Sequence, residues 1–122
     1  MRIAMVLALL LAGCAVARPE PAAPLAAYQA RGQEPGWLLT IAGGVIDYRG
    51  DYGETRIRVP APEPRTTFNG HRYETPRLVV DITHTRCNDA MSGHGYADQV
   101  RVIAEGSEVQ GCGGERRRDW DS

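Results

Sequence analysis

The chain contains no lysine: all 14 of its basic side chains are arginine, against 15 acids, for a formal charge of −1 at pH 7. That absence removes Schiff-base chemistry and lysine general-base catalysis. The near-neutral balance argues against a nucleic-acid partner, whose phosphates call for a basic face. Aromatic residues are scarce, with a single phenylalanine, so the core is modest for 122 residues. Three cysteines are too few for a disulfide-dense scaffold, and their positions (14, 87 and 112) separate one from the other two. Long apolar runs are also missing. The longest, Ile3 to Ala12 after the single charge Arg2, falls short of the ~20 residues a membrane-spanning helix needs.

That short run reads instead as a secretory signal peptide, residues 1–13: a charged start, an apolar core, then small residues. Its end, Leu11-Ala12-Gly13-Cys14, resembles the lipobox of bacterial lipoproteins. The resemblance implies a diacylglyceryl group on the Cys14 thiol, cleavage just before it and acylation of the new amino group. Several acyl chains on one residue give stable anchoring, at ~0.8 kcal/mol per buried methylene. Ala15 after the cysteine, rather than Asp, resembles the pattern sorted to the outer membrane in Gram-negative cells. The expected location is therefore the cell envelope, lipid-anchored and facing the periplasm.

Residues 14–35 read as a lipidated cysteine followed by a Pro/Ala-rich linker, with Pro19, Pro21, Pro24 and Pro35 blocking a continuous helix. From Trp37 the pattern changes to period two. Trp37, Leu39 and Ile41 share one face, and Thr55, Ile57 and Val59 alternate with Glu54, Arg56 and Arg58. Gly43-Gly44, Asn69-Gly70 and Glu105-Gly106-Ser107 mark hairpin turns, with Asn69-Gly70 the strongest signal for a type I′ turn. Arg77 to Thr85 is the most apolar strand and reads as central. The count is about eight short strands with no amphipathic helix. The expected fold is an all-β antiparallel meander over residues 36–114, closed as a small barrel or folded as a sandwich, with 115–122 a solvated polar tail. Closure would also remove open sheet edges.

With Cys14 lipidated, Cys87 and Cys112 form an even pair in an oxidising compartment. A disulfide between them would close a loop of about 25 residues and contribute ~3 kcal/mol. Rival readings of the neighbouring side chains are weaker. His84, Cys87 and His94, with Asp81 and Asp89, match no compact zinc spacing. No C-x-x-C pair points to redox chemistry. Asp47, Asp51 and Asp81 are ordinary acids for the wet faces of strands, and Ser92, His94 and Asp89 lack a nucleophile-elbow context. The reading is a non-enzyme without cofactor or metal.

"GQEPGW" (Gly32 to Trp37), "CNDAMSGHGY" (Cys87 to Tyr96) and the closing Gly111-Cys112 together resemble a family of uncharacterised bacterial envelope lipoproteins. That family carries G-T-E-P-F-W and C-x-D-G-M-S-x-x-x-Y motifs. Glu34, Pro35, Trp37, Cys87, Asp89, Met91, Ser92 and Tyr96 fall on family positions. Gly36 stands where Phe is usual, Ala90 where Gly is usual and Ala97 where Pro is usual. The resemblance implies a small β domain and brings no activity. The architectural expectation is that Trp37 packs under the barrel and Asp89 brackets its turn. The sharper expectation is a recognition loop formed by Asp89, Met91, Ser92, His94 and Tyr96, facing an envelope protein or peptidoglycan. "SGHGY" is also similar to the S-G-x-x-Y segment of membrane-bound inhibitors of c-type lysozyme, which implies Ser92 as a cleft-inserting residue. Those inhibitors also use a lysine, which this chain lacks.

Overall fold

The computed structural model describes residues 27–122 together with Gly13. Residues 1–12 of the signal-peptide segment, Cys14 and the Pro19–Pro24 stretch lie outside the described residues. Among the described residues, ten strands make one antiparallel sheet. The first four are β1 (Tyr28–Gly32), β2 (Trp37–Ala42), β3 (Val45–Gly50) and β4 (Thr55–Pro60). Then follow β5 (Arg65–Thr67), β6 (Gly70–Glu74) and β7 (Leu78–Thr83). The chain closes with β8 (Cys87–Asn88), β9 (Gly95–Ala104) and β10 (Ser107–Arg116). Short 3-10 turns follow β3 at Asp51–Gly53 and β10 at Arg118–Trp120.

The strand order is β4-β3-β2-β1-β10-β9-β7-β6-β5, with β8 paired to β9 off this path. Two meanders are therefore joined where β1 lies against β10, and the sheet curls into a half-barrel. The all-β expectation holds. The two strands absent from the sequence count are β1 and the two-residue β8. Among the described residues the sheet keeps two edges, β4 and β5, with no ladder between them. Arg56, Arg58 and Pro60 guard the first, and the second is only three residues long, which suits neither to edge-to-edge pairing.

β1 corrects the expected linker boundary, because residues 28–32 fall within the segment read as linker. Their sequence shows little alternation, yet Ala30 is fully buried and pairs with both Leu39 and Gly113. Hydrogen bonding on both sides makes this a strand where its own side chains give little signal.

The concave face holds one contiguous core. Leu39, Ile46 and Ile57 come from the first meander, and Leu78, Val80 and Val102 from the second; all are almost completely buried. The convex face carries arginine–carboxylate pairs: Asp47 lies 3.0 Å from Arg56 and 3.3 Å from Arg58, and Asp81 lies 3.2 Å from Arg72 and 3.5 Å from Arg101.

The turns at Gly43-Gly44 and Glu105-Gly106 have positive φ at both central residues (57° and 74°; 47° and 86°), as a type I′ turn requires. The Asn69-Gly70 expectation is corrected. Thr67 pairs with Gly70, so Phe68 and Asn69 form the turn, and neither has positive φ. Gly70 serves close approach instead, since a Cβ there would stand 1.7 Å from the Ile82 carbonyl oxygen. Phe68 is consequently fully exposed at the hairpin tip and adds nothing to the core.

Candidate functional site

The loop after β7 is held by hydrogen bonds to the β5–β6 turn and within itself. His84 N–H donates to the Asn69 carbonyl at 2.8 Å, and the Asn69 amide donates back to the His84 carbonyl at 2.8 Å. β8 then pairs with the start of β9 through Cys87↔Tyr96 and Asn88↔Gly95. Between them, Asp89 N–H donates to the His94 carbonyl at 2.9 Å and Gly93 N–H to the Asp89 carbonyl at 2.8 Å. The Asp89 carboxylate accepts from Met91 N–H at 2.9 Å, an Asx turn that brackets the loop.

Cys87 and Cys112 are disulfide-bonded, with Cα atoms 5.5 Å apart, a separation that such a bond spans. The bond ties the loop to β10. Sequence reasoning missed a second tie: the Gln33 side-chain amide reaches Asp89 Oδ2 at 3.5 Å, joining the β1–β2 turn to the loop.

The expected solvated tail is the third correction, because residues 116–122 are docked. Arg116 grips Asp121 through both terminal guanidinium nitrogens, and Asp121 accepts from Gly95 N–H at 2.9 Å. These two contacts, Arg116 first, hold the Asp121 carboxyl at about 2, well below the usual carboxylate range. Ser122 N–H donates to the Gly93 carbonyl at 3.0 Å. The Trp120 carbonyl accepts from Asn88 and Arg86, each at 2.7 Å, while Arg86 and Arg117 lie 5.7 and 4.5 Å from the Trp120 ring. Charged composition alone suggested solvent; paired charges and cation–π contacts hold the segment down.

The loop residues divide by exposure. Asp89 and Tyr96 are only 8% and 7% exposed, so they frame the loop; Met91, Ser92 and His94 face solvent. The Ser92 hydroxyl accepts from His94 N–H at 3.2 Å. Of the earlier motif, Trp37 is buried and its indole N–H donates to the Gln110 carbonyl at 3.3 Å. Glu34 and Pro35 make the β1–β2 turn, through a cis peptide bond. Among the described residues, no three His, Cys, Asp or Glu side chains gather as a metal site, and Cys87 is occupied by the disulfide. Asp47, Asp51 and Asp81 are kept apart by separate partners: arginines for Asp47 and Asp81, the Thr55 hydroxyl at 2.7 Å for Asp51.

Two further features escaped the sequence. On β9, Asp98 occupies an inward position in register with Val100 and Val102, and it is 5% exposed. It accepts from Tyr28 OH at 2.8 Å and stands 2.7 Å from His84 Nδ1, stapling β1, β9 and the start of the loop. Burial and the Asp98 hydrogen bond push the Tyr28 phenol far above its ordinary value. An acid on the apolar side of an alternating strand was the available signal.

The other feature is a cleft of about 650 Å³ on the convex face, under the clamped loop. Its lining includes Arg31, Gln33, Asp81, Asn88, Asp89, Arg101 and Gln110, together with both cysteines. Compared with protein-family models, curated proteins and solved structures, the chain matches none.

Proposed function

We propose that this chain is a non-catalytic, lipid-anchored domain of the bacterial cell envelope that presents its 87–96 loop to an envelope partner. The supporting observation is the exposure of Met91, Ser92 and His94 on a loop held by a disulfide, an Asx turn and the docked chain end. A loop fixed before contact loses little freedom on binding, which favours affinity. The anchor is Cys14, and the membrane is the first partner; peptidoglycan or an envelope protein is the second.

A photo-crosslinking residue at Ser92 or His94, in cells, tests the reading. A discrete adduct from both positions, absent from the same residue at Phe68, is expected. No adduct from either loop position would overturn it. Cys14→Ser should also move the protein from the membrane fraction to the soluble fraction, and unchanged fractionation would sink the anchor.

The exposed Ser92 hydroxyl also favours a narrower version, inhibition of c-type lysozyme. Stoichiometric loss of lysozyme activity, abolished by Ser92→Ala, would support it; full lysozyme activity at molar excess would end it.

A further inference from the structure

The cleft beneath the clamped loop carries one unneutralised charge of each sign. Asp81 is matched, since it lies between Arg72 and Arg101. Arg31 differs. Among the described residues it has no carboxylate partner; its guanidinium donates to Gln29 at 3.3 Å and lies 5.7 Å from the Tyr96 ring. Asp89 is its counterpart of opposite sign. Its carboxylate is nearly buried, accepts only from Met91 N–H and the Gln33 amide, and meets no cation among the described residues.

A buried carboxylate without a cation is costly, and a guanidinium fork is shaped for a carboxylate. One ligand that brings an ammonium to Asp89 and a carboxylate to Arg31 satisfies both. We propose that this cleft binds a small zwitterion: a free amino acid or a short peptide with both termini unblocked. Phosphate dianions fit poorly, because the uncompensated Asp89 carboxylate lines the same space and repels them. Apolar ligands fit poorly too, since the polar residues Gln99 and Gln110 share the lining. The volume of about 650 Å³ falls within the usual span of small-ligand sites. The Cys87–Cys112 bond sets the loop wall against the sheet, so the site belongs to the oxidised protein. It is distinct from the exposed tip at Met91, Ser92 and His94, and it does not rest on the envelope-partner reading.

The test is an NMR titration of the oxidised full-length Cys14→Ser protein with millimolar triglycine, N-acetyl-triglycine and triglycine amide. Triglycine should move the amide resonances of Gly32, Ala90 and Gly111. Blocking either terminus should weaken binding by about ten-fold. Arg31→Gln should weaken triglycine binding to a similar degree and erase the difference between triglycine and its amide, while sensitivity to N-acetylation persists. Unmoved Val80 and Val102 resonances, from core residues outside the cleft, show that the variant is folded. The proposal fails if triglycine moves no cleft resonance. It fails if only one blocked terminus matters, or if Arg31→Gln binds triglycine as wild type does.

Discussion

The two faces of β9 divide the labour of this domain. Val102 and Ala104 point into the core and are buried, while Gln99 and Arg101 line the cleft on the other side. The concave face is apolar and continuous across both meanders, so it carries the stability. The convex face is polar and is shaped from outside, by a disulfide, an Asx turn and the docked chain end. Core packing alone does not hold that loop; local clasps do.

The largest effect should come from the core. Leu39 is fully buried, and Leu39→Ala should cost about 2–5 kcal/mol in a denaturant titration, through lost transfer energy and the cavity left behind. A cost below about 1 kcal/mol would mean that the concave face is not the stabilising one. Next is the clasp. Replacing Cys87 and Cys112 together with alanine should cost about 3 kcal/mol, because the unfolded chain regains the freedom of the closed loop.

Smaller is the contribution of Asp121. Its folded-state carboxyl lies at about 2, below an ordinary value of 3.8, because the Arg116 pair favours the charged form. A depressed carboxyl adds stability that is present above about pH 4 and is lost as pH falls toward 2. The protection factors of the Gly95 and Ser122 amides should therefore fall across that window, and Asp121→Asn should remove that pH dependence. The smallest effect is expected at Phe68, which is fully exposed. Phe68→Ser should shift stability by less than about 0.5 kcal/mol.

Much of this fold is legible in the residues. The alternation from Thr55 to Val59 marks a strand with one wet face, and Gly43-Gly44 and Glu105-Gly106 mark tight turns. Cys87 and Cys112 were left as a pair once Cys14 was set aside, and the structure joins them. What escaped depended on partners distant in sequence. β1 is a strand because β2 and β10 flank it, which Tyr28 to Gly32 do not reveal. Residues 115–122 read as solvated because each charge looks free until Arg116 meets Asp121 and Trp120 meets Arg86. The Gln33–Asp89 contact spans 56 residues, and no local pattern encodes it. Tertiary pairing decides each of these cases.

The central claim is that the convex loop is ordered by its clasps and the core by its own packing. Amide hydrogen exchange, compared between the oxidised protein and the Cys87→Ala/Cys112→Ala variant, tests it most directly. The account predicts that Asp89, Gly93 and Gly95 lose most of their protection, while Val80, Val100 and Val102 fall only by the shared loss of global stability. Equal loss of protection in loop and core would contradict it.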